Sequence, residues 1–309
     1  MKLVTFVQNG VNAVGLVDGD AVLDLAAAWR KFGGGDPPLD MLALIAGGET
    51  LLAEVRRVTI AAAALKDDTS LWQPLSLIKL KAPIPHWRKN VFCVGRNYKL
   101  HIEEGARARG REVVFPTVPE FFSKPPTTVI GHDENIRLDP KVTQQLDYEV
   151  ELAIVIGKTV RDLSPANVAD AIFGYTIVND VSARDLQVRH GQWFKGKGLD
   201  TTCPTGPWIV TKDEFGDPSG HRVSLRVNGE TRQDSNTADL LFDCAAIVSS
   251  LSHGLTIEAG DIIATGTPSG VALGMSPQKW LKHGDVIEAE VEGVGVLRNR
   301  VREVGSKGD

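Results

Sequence analysis

The chain has 309 residues, 42% of them hydrophobic and 24% charged, which permits a large buried core and excludes a disordered or fibrous protein. Its 34 basic and 39 acidic residues leave a net charge of −5 without a long basic run, which argues against a nucleic-acid partner but allows a locally positive pocket. Three widely spaced cysteines, Cys93, Cys203 and Cys244, offer neither a disulfide framework nor a zinc site and fit a reducing compartment. Residues 1–10 alternate into a turn and carry no signal-peptide apolar core, and no apolar run approaches a membrane span. A soluble, cytoplasmic protein with no membrane partner is therefore expected.

In chain order, residues 1–24 read as a β-meander with turns at Asn9-Gly10 and Asp18-Gly19-Asp20. Helical stretches follow at 26–30, 39–45 and 51–65, interrupted by the Gly/Pro loop 33–38. The stretch 71–87 contains Pro74, Pro83 and Pro85 and reads as a linker. It divides the chain into a small structural α/β domain at 1–80 and a catalytic domain at 81–309. Val91-Phe92-Cys93-Val94 is a short strand ending at Gly95, and residues 96–104 look like the start of a helix capped by Asn97. Beyond residue 133 the pattern is mostly β. Strands are expected at 171–178, 208–211, 261–265, 286–291 and 295–301, with a hairpin about Asn228-Gly229. Helices are expected at 165–172 with Ser164 as cap, at 182–190 and at 238–253. Short, closely spaced strands with few helices indicate a β-rich α+β fold, a sandwich or roll.

The segment from Asp147 to Gly157 has the apolar, β-branched end of a strand. Alternation places Asp147, Glu149 and Glu151 on one face, with Tyr148, Val150 and Leu152 on the other. Three carboxylates in a row repel one another and resist burial. A hard cation with oxygen ligands would relieve that cost; a solvated strand face is the other reading. A second apolar run ends in Val178-Asn179-Asp180, and Asp180 suits either a metal ligand or a helix cap. Gln187, two helical turns on, faces the same way, while Arg184 and Asp185 read as surface pairs.

His101 and Glu104 stand three apart, so on a helix they share a face. There a carboxylate can orient a histidine as a base, unless the two form an ordinary surface pair. Lys124 falls in a segment too proline-rich for a central strand and is either a loop lysine or an anion contact. Lys195-Gly196-Lys197-Gly198 lets a lysine approach an anion but lacks the spacing of a phosphate-binding loop. Thr265-Gly266-Thr267-Pro268-Ser269-Gly270 follows a strand, and N–H groups and hydroxyls in such a turn can hold a carboxylate. No GxGxxG, GxSxG or zinc signature occurs, which removes the commoner dehydrogenase and hydrolase readings.

Five motifs, in order over about residues 88–303, together resemble the fumarylacetoacetate hydrolase family. They are Gly95-Arg96-Asn97-Tyr98…His101…Glu104, Glu149-x-Glu151, Asn179-Asp180-x-Ser182-Ala183-Arg184-Asp185-x-Gln187, Lys197…Thr201-Thr202-x-Pro204 and Thr265-Gly266-Thr267-Pro268-x-Gly270. The resemblance implies a mixed β-roll, usually dimeric, with Mg²⁺ or Mn²⁺ in its site. It puts Glu149, Glu151 and Asp180 on metal-ligand positions and His101 with Glu104 on a water-activating dyad. Lys197 matches the lysine that stabilises developing negative charge. Gln187 and Thr267 match substrate contacts, and Arg96 and Lys124 join them as candidate substrate-binding residues. Asp147 matches no shared ligand.

The activity this implies is metal-dependent hydrolysis of a C–C bond in a β-diketo acid of the acylpyruvate or fumarylpyruvate kind, in aromatic catabolism. A small keto acid is then the substrate, and a homodimer the expected assembly. Decarboxylation of oxaloacetate, or isomerisation of a hydroxymuconate-type acid, is the alternative through the same enolate. A non-catalytic protein that kept the fold is a third possibility, disfavoured by the intact acidic set. Segment 105–123 reads as a mobile lid, with Arg107, Arg109 and Arg111 facing solvent in preference to a second substrate carboxylate.

Overall fold

A computed structural model describes residues 1–306. Among these residues, eleven strands form one large sheet, five a second sheet, and two a short ribbon. Glycine- and asparagine-bearing turns set the hairpins: Asn9 and Gly10, and likewise Asn228 and Gly229, have the positive φ that a tight two-residue turn requires.

The strand Val150–Ile156 lies in the middle of the large sheet, antiparallel to Ile172–Asn179 on one side and to Ile262–Ala264 on the other. It is buried on both faces, which explains its continuous apolar run. Leu152 and Ile154 pack toward Leu225, Ile287 and Leu297 of the second sheet. Ala153 and Val155 pack toward Leu44, Val55 and Trp29 of the N-terminal helices. Those helices are Leu25–Phe32, Met41–Ala46 and Gly48–Ala63; Asp24 and Asp40 cap the first two by accepting from Ala27 N and Ala43 N.

Several elements differ from the sequence expectation. The 71–87 stretch is not a plain linker: Trp72–Pro74 is a strand paired with Ala21–Asp24. Lys2 and Leu3 pair with Val210 and Ile209, so the N-terminal meander extends the large sheet. The acidic strand is not continuous. Leu146–Asp147 pairs with Ser182–Ala183, and the ladder to Ile172–Asn179 begins only at Val150. The helix expected at 182–190 accordingly starts at Arg184 and runs to Arg189. The one expected at 165–172 is a short 3₁₀ turn, Pro165–Asn167, followed by Val168–Ala171, and the Ser164 side chain caps neither. The one at 238–253 splits into Thr237–Asp239 and Cys244–Ser252, the latter capped by Asp243. Within the described residues no helix is long and apolar enough to cross a membrane.

Candidate active site

Sheet register builds the acidic cluster. Val150 pairs with Asn179 in an antiparallel ladder, so Glu149 precedes one strand just where Asp180 leaves the other. Two backbone-anchored bonds fix the junction: Asp180 N donates to Glu149 O at 2.8 Å, and Glu149 N donates to Asn179 Oδ1 at 3.0 Å. Glu151, one alternation further, points to the same side. One carboxylate oxygen each from Glu149, Glu151 and Asp180 lies within 4.8 Å of the others, and all three residues are buried.

Cations surround two of the three. Lys197 Nζ donates to Glu149 Oε2 at 2.7 Å and to Asp180 Oδ2 at 2.6 Å. Arg184 Nη2 donates to Glu149 Oε1 at 2.6 Å, and Lys124 Nζ donates to Asp180 Oδ1 at 2.7 Å. Burial raises the Glu149 pKa, but Lys197 and Arg184 outweigh it and hold the carboxyl well below its ordinary value. Burial lowers Lys197, and Asp180 and Glu149 more than restore its charge, leaving its pKa raised. Glu151 differs. It accepts one hydrogen bond, from Gly266 N at 2.7 Å, and among the described residues no cation bonds to it. Burial, then Asp180 and Glu149, push its pKa well above the usual carboxylate range. A buried all-oxygen donor set carrying one undercompensated carboxylate fits a hard divalent cation.

The cluster floors a cleft of about 510 Å³. Seven of the ten expected site residues line it: Arg96, His101, Glu149, Glu151, Gln187, Lys197 and Thr267. The other three, Glu104, Lys124 and Asp180, stand directly behind these. His101 is on the helix Lys99–Ala108, with Nδ1 3.5 Å from Glu104 Oε2. Glu104 is itself tied to Gly270 N at 3.0 Å. Phe122 and Trp193 meet edge to face on one wall, and Trp193 lies so close over Gly95 that any side chain there would collide with it.

The contacts of the other singled-out residues are as definite. Lys124 is fully buried on the strand Glu120–Lys124 at the sheet edge, and its ammonium also donates to the carbonyls of Val181 and Lys197. With three acceptors engaged, it positions Asp180. Asn97 caps no helix; its amide joins Thr265 O and Phe242 O, holding two loops together. Arg96 pairs with Glu120 at 2.9 Å and donates to Val114 O. The 265–270 turn does hold carboxylates, but they are the protein's own Glu151 and Glu104. Thr267 Oγ1 donates to Val150 O at 2.9 Å and so stays beside the cluster.

Sequence reasoning misplaced Arg184. It is no surface residue but is 3% exposed, joining Asp147 Oδ2 at 2.8 Å to Glu149. Its offset of three from Gln187 shares a helix face, and Nη1 donates to Gln187 Oε1 at 3.2 Å, but nothing local marks the cation as buried. Trp193 went unnoticed because nothing local marks an aromatic wall. Arg109 and Arg111, expected to face solvent, are exposed and also edge the cleft. The cysteines are buried, and burial pushes the Cys203 thiol up to about 12, which leaves no reactive thiolate there.

Residues 90–302 match the fumarylacetoacetate (FAA) hydrolase C-terminal family. Among curated proteins, the chain is 44% identical over 288 residues to oxaloacetate tautomerase YisK of Bacillus subtilis (strain 168), covering 93% of this chain and 94% of the relative. Among solved structures it resembles a fumarylacetoacetate hydrolase from psychrophilic Exiguobacterium antarcticum, with TM-score 0.80, 40% identity and coverage of 98% and 99%. It also resembles a maleylpyruvate hydrolase from Sphingobium sp. SYK-6 in complex with manganese(II) and pyruvate, with TM-score 0.76, 31% identity and the same coverage.

Proposed function

The chain belongs to the fumarylacetoacetate hydrolase family, and from that premise we propose that it is a divalent-metal-dependent enzyme that interconverts the enol and keto forms of a small 2-oxo dicarboxylate of the oxaloacetate type. The observation that carries the reading is His101, which lines the same cleft as Glu149, Glu151 and Lys197 and has Nδ1 3.5 Å from Glu104 Oε2, close without a hydrogen bond. The tautomerase activity named for the 44%-identical relative supports the choice of reaction.

Glu149, Glu151 and Asp180 would hold Mg²⁺ or Mn²⁺, which when bound supplies Lewis-acid polarisation of a keto oxygen and a template for the 2-oxo carboxylate. The rest falls to the chain's own residues. Glu104 faces the Nδ1 side of His101, which leaves Nε2 to take a proton from the carbon next to the keto group and to return it. Lys197 stays protonated beside Glu149 and Asp180, and with Arg184 it offsets the negative charge that appears as that proton leaves. Gln187 and Thr267 orient the substrate. The Phe122–Trp193 wall keeps water from one side of the cleft, which strengthens these charge interactions.

A second reading is C–C hydrolysis of an acylpyruvate- or fumarylpyruvate-type acid, as in aromatic catabolism. It is supported by the same His101–Glu104 pair, which could activate water, and by the maleylpyruvate hydrolase likeness. We also propose a homodimer. The readings separate when the Mn²⁺-loaded protein is given the enol of oxaloacetate and, separately, acetylpyruvate, each with an EDTA control. Accelerated loss of enol absorbance, abolished by EDTA and without release of pyruvate, is expected. Pyruvate and acetate from acetylpyruvate, with enol oxaloacetate decaying at its spontaneous rate, would replace tautomerisation by hydrolysis.

A further inference from the structure

Arg184 and Asp147 are buried and charged, yet neither belongs to the acidic triad and only Arg184 reaches the cleft. The Arg184 guanidinium is spread over two carboxylates and an amide: Nη2 on Glu149 Oε1 at 2.6 Å, Nε on Asp147 Oδ2 at 2.8 Å, and Nη1 on Gln187 Oε1 at 3.2 Å. Asp147, in turn, receives Ala272 N at 2.8 Å and Leu273 N at 3.1 Å. It thereby anchors the 3₁₀ turn Ala272–Gly274. That turn is the seat of the His101 helix. The Glu104 side chain packs so tightly on Gly274 that a Cβ there would collide with its carboxylate stem, and the adjoining Gly270 N bonds Glu104. An unbroken run of contacts therefore leads from Glu149 through Arg184 and Asp147 to the helix Lys99–Ala108.

We propose that Arg184 and Asp147 are positioning residues that tie the docking of the His101 helix to the charge state of the acidic cluster. The inference rests on the divalent-metal reading given above. A cation placed among Glu149, Glu151 and Asp180 competes with Arg184 for Glu149 and repels its guanidinium. Both effects shift Arg184 onto Asp147, its other buried carboxylate. A firmer Arg184–Asp147 pair holds Asp147 against the Ala272 and Leu273 N–H groups, and the turn then seats Glu104 and His101. The base is thus in place when the cluster is loaded and looser when it is not. Such coupling needs an element that both ends bias, and the Ala272–Gly274 turn meets that requirement.

The test is amide hydrogen exchange of residues 99–108 with and without Mn²⁺, with ion binding followed separately by electron paramagnetic resonance. In the wild type, Mn²⁺ should slow exchange of these amides by about tenfold. In Asp147→Asn and Arg184→Lys, Mn²⁺ should still bind, within about fivefold of wild-type affinity, while the exchange of 99–108 no longer responds. A merely structural role would lower the melting temperature and leave the response intact. Should the buried-pair variants not fold, Gly274→Ala serves, because it unseats Glu104 without touching the ion pairs. Its helix should exchange fast in both conditions. Mn²⁺ binding to the wild type without any change at 99–108, or a full response in Gly274→Ala or Asp147→Asn, overturns the relay alone. No Mn²⁺ binding to the wild type removes the metal reading, and the relay with it.

Discussion

Glu151 is the member of the acidic cluster that the chain's own groups compensate least. It is 1% exposed and has one backbone N–H for company, with two carboxylates as neighbours. A carboxyl whose folded pKa lies above its unfolded one binds its proton better in the fold, so stability is lost as pH rises past the ordinary carboxylate pKa of about 4.3. In metal-free protein, Glu151→Gln should therefore melt higher than the wild type at alkaline pH, with the gap closing in acid. Added Mn²⁺ should reverse the order, stabilising the wild type far more than the variant. Equal melting curves at all pH values, with and without Mn²⁺, would contradict the cluster's electrostatics. His101→Gln should lower turnover by roughly 10²–10⁴-fold while leaving Mn²⁺ affinity nearly intact, because the imidazole is not in the acidic triad. Turnover like the wild type's would remove the base. The triad and the His101–Glu104 pair were legible because chemistry fixes residue types at short spacings. Arg184 and Lys124 were not, since nothing local distinguishes a buried, paired cation from a solvated one.

At the scale of elements, hairpins were readable where turn chemistry is local, as at Asn9-Gly10 and Asn228-Gly229, whereas the caps expected at Asn97 and Ser164 do not form. The 71–87 stretch was misread because its strand is set by partners far away, with Trp72 aligned on Leu23 and Leu80 bridging Phe6. The segment 146–152 was misread for a related reason. Its register changes partner at Tyr148 and Glu149, and this break is what lets Asp147 turn to Arg184 while Glu149 stays with the cluster. The 265–270 turn supplies the sharpest element-level prediction. Gly270 has φ +106°, and a Cβ there would run into the Arg232 carbonyl. Gly270→Ala should cost about 2 kcal/mol or more of stability and should also loosen Glu104, whose carboxylate accepts from Gly270 N. Denaturant unfolding that matches the wild type would show that the turn relaxes freely.

Across the whole molecule, two sheets and a set of N-terminal helices bury the central strand from both sides, and the cleft opens where that strand begins. Short, closely spaced strands with few helices were enough to read the β-rich α+β class. The continuation of the large sheet into the N-terminal meander was not, because pairing between residues 2–3 and 209–210 leaves no trace in local pattern. Near the cleft mouth, Val113, Val114, Phe115 and Val118 are exposed apolar side chains within six residues. Such a patch favours association over a solitary surface, and sedimentation should return a mass twice that of the chain; a single-chain mass would exclude the proposed homodimer.

The proposed reaction is proton transfer next to a keto group, carried out by His101 in a cleft loaded with a divalent cation. Deuterium incorporation at the carbon beside the keto group of oxaloacetate, followed by NMR in D₂O, measures that step directly. The wild type with Mn²⁺ should exchange this position well above the spontaneous rate, and both EDTA and His101→Gln should return it to that rate. Exchange that is no faster than in buffer, or that persists in His101→Gln, would contradict it.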